Sequence, residues 1–190
     1  PMHDPKLQPE YYTTYRMDAT PARHTQYEGN SRYGGPDYGA APGDFKDYGG
    51  RGAHHKGAAE YSHVNNSAGI CMFVGMIAPT ERYPQWINAV TGWNITGDEL
   101  QAAGERIANL RQAFGIREGD NPKERFVSDR IWGGGDTQQK TGPLAGVTLD
   151  IETLENDFLQ ACDWDVQSCA PSRGKLESLG LKDVADALGV

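Results

Sequence analysis

The chain has 190 residues, a length typical of one domain that buries its own core. Its net charge of −8 argues against a nucleic-acid partner, because no basic stripe is present to neutralise phosphates. No apolar run reaches the roughly 18 residues of a membrane span and no signal-peptide pattern is visible, so we expect neither. The three cysteines, Cys71, Cys162 and Cys169, do not suit a disulfide framework, so we expect reduced thiols and a cytoplasmic protein.

Residues 1–59 are rich in tyrosine, glycine, proline and histidine and show neither a strand nor a helix period. Nine glycines and two prolines between Gly29 and Gly57 argue against a stable helix or a central strand there. A disordered linker is one interpretation. Recurring aromatic residues favour the other, a long ordered loop packed on another surface. They are Tyr27, Tyr33, Tyr38, Phe45 and Tyr48.

Helical patterns dominate from about residue 60, so we divide the chain into a loop-rich segment, 1–59, and a helical domain, 60–190. The small and apolar residues of 59–76 predict one buried helix that ends before Pro79. A second helix is predicted over 83–90, with Gly92 as its stop. Its apolar face consists of Trp86, Ile87 and Val90.

Thr96 and Glu99 have the spacing of a capping box, which predicts the start of a helix. Apolar residues then repeat at steps of three and four as far as Phe114, and Gly115 is the predicted stop. Further helices are predicted from Asp150 to Cys162, from Lys175 to Leu179 and after a cap at Asp183. No stretch alternates as a strand does. The expected fold class is therefore all-α, an irregular multi-helix domain with long loops rich in glycine and tyrosine.

The stretch 65–73 sets Cys71 two residues after Gly69, inside an apolar run. Two interpretations remain open from these residues alone. Cys71 is either a small hydrophobic residue in a buried helix or a thiolate ligand, with Gly69 letting a large cofactor approach the backbone.

Other candidate sites carry weaker signals. His54, His55, His63 and Cys71 suggest zinc, but their spacing matches no usual set of ligands. His24 is a candidate for acid–base chemistry, with Asp18 and Arg23 either orienting it or lying on the surface as charges. Cys162 and Cys169 are expected in the core or as surface thiols, and the glycines at 133–135 lack the context of a phosphate-binding loop.

Short motifs are spread along nearly the whole chain. They are His3-Asp4-Pro5, Asp18–Thr25, Ala68-Gly69-Ile70-Cys71, Thr91–Thr96, Gly104–Leu110, Ile116–Gly119, Gly142–Val147, Trp164-Asp165 and Leu176–Leu181. In order and spacing they resemble the C-terminal region, about the last third, of the tungsten-containing aldehyde:ferredoxin oxidoreductases. The resemblance implies the helical C-terminal fold of that family.

The resemblance also implies roles for five residues. Cys71 matches the family's distal cluster cysteine, the fourth thiolate on a [4Fe–4S] cluster beside a tungsten bis-pyranopterin. Asn66, Gly69 and Ile70 fall in the pterin-contacting pattern that ends in this cysteine, with Asn66 replacing the usual aspartate. His24 falls at the active-site histidine, which is expected to hydrogen-bond or shuttle a proton near the tungsten-bound oxygen.

The implied reaction is oxidation of an aldehyde to a carboxylic acid, with electrons passing through the cluster to ferredoxin. The other cluster cysteines and the domain that cradles the pterins are not among these residues, so we expect no cofactor on this chain alone. The remainder of the oxidoreductase, as an upstream polypeptide or a partner subunit, is the expected partner. The start at Pro1 rather than methionine fits a processed or excised piece. Segment 1–59 is expected to pack on the cofactor and substrate region.

Two alternatives stay open. One is a non-catalytic interaction or scaffold module that keeps the helical fold of the family. The other is a tungsten enzyme of different chemistry, such as reduction of an aromatic acyl thioester, because the loop at 27–59 that would line the substrate channel is distinctive.

Overall fold

The computed structural model describes residues 3–27, 32–35 and 43–190. Over these ranges the chain forms nine α-helices, and the only strand-like pairing is a single bridge between Trp164 and Pro171. The predicted all-α class is confirmed. The helices are α1 (Glu10–Arg16), α2 (Arg51–Ser67), α3 (Met72–Ile77), α4 (Arg82–Thr91), α5 (Gly97–Arg117), α6 (Asp129–Trp132), α7 (Ile151–Cys162), α8 (Arg173–Ser178) and α9 (Lys182–Leu188).

Helix α2 is the centre of the fold, since it packs against α1, α5 and α7. Two of its crossings depend on glycine. A Cβ atom at Gly104 of α5 would overlap the carbonyl oxygen of Glu60, and one at Gly52 would overlap the backbone of Asp157 in α7. The absence of side chains at these points lets the helix backbones approach closely.

The buried face of α2 is unusually polar. Lys56 lies 2.5 Å from Glu60 of the same helix and 3.0 Å from Glu105 of α5, and the second of these ion pairs joins the two helices. At its first residue, Arg51 Nη1 lies 2.8 Å from Glu10 Oε1, and both side chains are buried. Pairing of this kind is what keeps buried charges compatible with a folded core.

Apolar contacts on two sides of α2 complete the core. One cluster joins α7 to the end of α1, and a second surrounds the C-terminal half of α2. The first contains Met17, Phe158, Leu159, Cys162, Trp164 and Cys169, and the second Tyr33, Tyr61, Val64, Tyr83 and Leu100.

The predicted single helix over 59–76 is wrong. Helix α2 ends at Ser67, and α3 begins only at Met72. The cause is Gly69, whose φ of +71° ends α2 in a Schellman motif. The amide of Ile70 donates to the carbonyl of Asn65 at 2.9 Å, and the amide of Gly69 donates to that of Asn66 at 3.4 Å.

Most other helix predictions are confirmed to within a few residues. The capping box at Thr96 is present, Asp150 caps α7, and α4 ends at Gly92, with φ of +75°. Helix α5 runs past Gly115 to Arg117, because Gly115 keeps a helical conformation and the chain turns only at Gly119. The predicted cap at Asp183 is wrong, since this residue lies inside α9, after the N-cap at Leu181.

The loop-rich segment is partly helical in the described residues. Helix α1 lies within it, and α2 crosses the division at residue 60, although the division into two regions stays a prediction. Tyr27 and Tyr33 are buried, as the ordered-loop interpretation expects. Tyr38 lies outside the described residues. Across the described ranges, no helix combines the length and the apolar character that crossing a membrane requires.

Candidate functional site

Cys71 lies at the junction of α2 and α3, where it is the N-terminal cap residue of α3. The Schellman motif at Gly69 turns the chain out of the core just before it. As a result Cys71 is exposed, whereas Cys162 and Cys169 are both buried. Of the two interpretations of Cys71, the structure excludes the buried hydrophobic residue and leaves an accessible thiol.

The two residues before Cys71 differ in their surroundings: Ile70 is packed against the protein, whereas Gly69 lies at an open edge. Ile70 is half-buried and packs against the tyrosine-rich cluster at the end of α2. A Cβ atom on Gly69 would meet nothing within 4 Å, so the backbone there faces open space. A large group can therefore approach this edge while Ile70 holds the turn in position.

The His24 turn lies against the C-terminal end of α2. Residues His24–Gln26 form a short 3-10 turn that packs on α2. Arg23 Nη2 donates to Asn66 Oδ1 at 2.9 Å, and Asn66 Nδ2 donates to Gln26 Oε1 at 3.3 Å. The structure thus joins the His24 turn to the pattern that ends in Cys71, with both ends of the Asn66 amide engaged.

The ring of His24 is half-exposed and lies against His3, with centroids 5.1 Å apart. His3 in turn stacks on Tyr11 at 4.9 Å, with the two rings nearly parallel. Sequence reasoning gave His3 no role. The only signal was its place in the His3-Asp4-Pro5 motif, because nothing local to that motif indicates a contact with residue 24.

Asp18 does not orient His24, and that alternative is wrong. It is buried and lies 3.5 Å from Nε2 of His55, whose ring nitrogens also contact the hydroxyls of Thr13 and Thr14. The His55 imidazole holds the pKa of the Asp18 carboxyl below its ordinary value, against the opposing effect of burial. Arg23 is exposed, but it bonds to Asn66 and Thr25 rather than acting as a free surface charge.

The structure does not support the zinc hypothesis, because the four proposed ligands do not come together. His54, His55 and His63 lie along the buried part of α2, whereas Cys71 lies beyond its end and is exposed. Within the described ranges, no three histidine, cysteine or acidic side chains come together as a metal site.

His63 is the most unusual of these histidines, because it is fully buried and neither ring nitrogen has a hydrogen-bond partner among the described residues. Burial lowers its pKa to about 4, even though the nearby Asp18 carboxylate acts in the opposite direction. Arg111, Arg23 and His55 add smaller effects that also lower it. The imidazole is therefore neutral at pH 7.

We expect His63 to destabilise the chain in acid. Between pH 6.5 and 4 the unfolded chain takes up a proton at this ring and the folded chain does not. The free energy of unfolding therefore decreases as the pH is lowered through this range. By pH 5 the loss is about 2 kcal/mol. Urea unfolding at pH 7.5 and 5 measures it, and His63→Leu should remove this part of the pH dependence. An identical pH dependence in the variant would show that the proton goes elsewhere.

An apolar surface adjoins Cys71. Phe73, Met76 and Ile77 of α3 are 68%, 64% and 82% exposed, in contrast to the buried helix that the sequence predicted. Val90 of α4 is 88% exposed and Trp93, just after it, 63%. We call these five residues the α3–α4 surface. Large apolar side chains exposed on α3 and at the end of α4 indicate surface that another part of a protein covers.

These features define a class of protein. It is a helical domain that exposes one thiol beside an apolar surface, and a turn containing a histidine is hydrogen-bonded to the end of the helix that precedes the thiol. Residues 1–181 match the family model described as aldehyde ferredoxin oxidoreductase, domains 2 and 3. The chain belongs to this family.

Relatives and a solved structure agree with this assignment. The tungsten-containing aldehyde ferredoxin oxidoreductase of Pyrococcus furiosus is 26% identical over 124 residues, which are 62% of this chain and 19% of that protein. The corresponding protein of Pyrococcus horikoshii is 26% identical over 121 residues, 63% of this chain and 19% of the relative. The chain thus spans about a fifth of the length of these relatives.

The fold is shared with the BamBC active-site complex of benzoyl coenzyme A reductase, solved with 1,5-dienoyl-CoA. The superposition has a TM-score of 0.53 and 20% identity and covers 70% of this chain and 20% of the other. This likeness supports the helical architecture alone.

Proposed function

We propose that the chain completes the cofactor site of a tungsten-dependent oxidoreductase that converts aldehydes to carboxylic acids. The observation that carries the proposal is the exposed thiol of Cys71, in a motif that resembles the cluster-binding motif of the family. The remainder of the enzyme, which the chain does not span, supplies the other ligands and the rest of the cofactor pocket.

Cys71 suits the role of a cluster ligand. A [4Fe–4S] cluster needs four thiolates, and this chain offers one accessible cysteine. The open space at Gly69 leaves room for a bulky group next to the sulfur, and Ile70 fixes the turn that carries it. Asn66 holds the His24 turn at the same edge through its bond to Arg23.

When bound, the tungsten bis-pyranopterin would supply two-electron oxidation of the aldehyde, and the cluster would supply single-electron transfer to ferredoxin. His24 is the residue of this chain that we assign to proton transfer. Its imidazole is half-exposed, and the His3 ring lies against it in a tilted arrangement, with centroids 5.1 Å apart.

The α3–α4 surface is the proposed contact with the remainder of the oxidoreductase. Its side chains lie on α3, on α4 and just after α4, the segments that follow Cys71 along the chain. Covering them would remove apolar area from water and enclose the cluster at the same time.

Assembly tests the proposal. The chain is co-expressed with the remainder of the oxidoreductase, and iron, tungsten and aldehyde oxidation are measured on the complex and on the chain alone. We expect metals and turnover in the complex only. Turnover by the isolated chain, or a stable complex that contains no iron, would contradict the proposal, and the second result would favour a non-catalytic scaffold.

A further inference from the structure

A cleft of about 700 Å³ opens between the N-terminal turn at residues 3–6 and the segment 128–139. Its volume lies within the range of small-molecule sites in proteins. Most of the residues that line it are of polar types, and Ile131 is one of the few apolar ones. The polar side chains that matter here are His3, Lys6, Ser128, Arg130, Thr137 and Gln138.

The charge of the lining is opposite in sign to that of the whole chain, which carries −8. Lys6 is buried, and its ammonium lies 2.9 Å from the carboxylate of Asp4, so these two lining charges cancel. Arg130 is the remaining full charge on the lining, and it forms no ion pair with any described residue. The cleft is therefore a local positive site on an acidic protein.

The walls of the cleft are held by hydrogen bonds. Lys6 Nζ donates to the carbonyl of Arg130 at 3.2 Å, which ties the N-terminal turn to the opposite wall. The hydroxyl of Thr137 donates to the carbonyl of Gly134 at 2.6 Å, and Gln138 donates to the hydroxyl of Thr148. A preformed wall spares a ligand the entropic cost of ordering it.

His3 connects the cleft to the His24 turn. It lines the cleft, and its ring lies 5.1 Å from that of His24. The hydroxyl of Tyr15 accepts from the backbone amide of His3 at 3.3 Å, which fixes this residue at the boundary. A molecule with one end beside His24 can thus extend its other end past His3 towards Arg130.

We propose that this cleft binds an anionic oxygen group, a carboxylate or a phosphate, with the Arg130 guanidinium as its charged donor. In the assembled enzyme this group belongs to the substrate, at the end away from the reacting carbon. That second statement rests on the proposed function, whereas anion binding by the cleft does not.

Titration of the whole chain tests the cleft directly. The probes are succinate and glycerol 3-phosphate, with 1,4-butanediol as the uncharged control, followed by NMR shifts of the cleft residues and by calorimetry. We expect saturable shifts with one or both anions, and Arg130→Gln should weaken binding about tenfold. The matched control is Arg82→Gln, which removes the same charge from an exposed arginine on α4 and should leave binding unchanged.

Each outcome separates this inference from the proposed function. Tighter binding of succinate assigns a carboxylate to the site, and tighter binding of glycerol 3-phosphate assigns a phosphate. Equal binding of 1,4-butanediol, equal loss in both arginine variants, or shifts outside the cleft would overturn the inference.

In the assembled enzyme, Arg130→Gln should raise KM about tenfold for an aldehyde that carries the anion and leave KM for a neutral aldehyde unchanged. If the complex fails to assemble its metals, that result would contradict the proposed function. The anion binding measured on the chain by titration would still hold.

Discussion

We expect the Cys71→Ala variant, assembled with the remainder of the oxidoreductase, to lose its iron–sulfur cluster or retain an incomplete one. Each iron of the cluster needs a thiolate to complete its coordination, and alanine offers no ligand. The accessible sulfur at the end of α2 is the candidate ligand from this chain. Iron measured per tungsten should fall by at least about one atom in four, with an altered electron paramagnetic resonance spectrum.

The matched control is Cys162→Ala. Cys162 is also a free cysteine, but it is packed among Phe158, Leu159 and Trp164 in the core. Burial raises the pKa of this thiol well above its ordinary value, so it remains protonated. Its replacement removes one sulfur and should leave the iron content unchanged. Unaltered iron in the Cys71 variant would instead favour the scaffold alternative.

The second large effect is expected at the crossing of α2 and α5, where Gly104→Ala should lower the free energy of unfolding by about 3 kcal/mol. The added Cβ would overlap the carbonyl oxygen of Glu60, which belongs to the backbone of a buried helix and cannot rotate away. The helices would have to separate, and the ion pair of Lys56 with Glu105 spans the same contact. Urea unfolding of the chain measures the change.

Gly115→Ala is the control for this prediction, since it makes the same change in the same helix. A Cβ at Gly115 would meet its nearest neighbour, Asp120, at an ordinary 3.8 Å. The variant should therefore gain up to about 1 kcal/mol from the higher helix propensity of alanine. A similar stability change in the two variants would show that the crossing is not the cause.

Short-range features of the fold were readable because their hydrogen bonds join residues close in sequence. The side chain of Thr96 accepts from the amide of Glu99, and that of Asp150 accepts from the amide of Thr153, as their types and spacing predict. The end of α2 at Gly69 was missed for a different reason. The apolar residues beyond it continue a helical composition, and composition does not distinguish a buried helix from an exposed apolar surface.

For the candidate site, the sequence predicts His24, Asn66, Gly69, Ile70 and Cys71 through its resemblance to the family, but it does not predict their contacts. Asn66 bonds to Arg23, which is 43 residues away, and Asp18 faces His55 rather than His24. Contacts of this separation depend on how α2 packs, and no local pattern records them.

The sequence by itself determined the helical class and the caps of α5 and α7, because backbone hydrogen bonding and φ preferences act over a few residues. Only the tertiary structure decided that Cys71 is exposed, that the His24 turn lies against the end of α2, and that Arg130 faces a cleft next to His3. The physical reason is that exposure and charge pairing depend on which distant surfaces meet, and the two glycine crossings, which bring α5 and α7 close to α2, are one example.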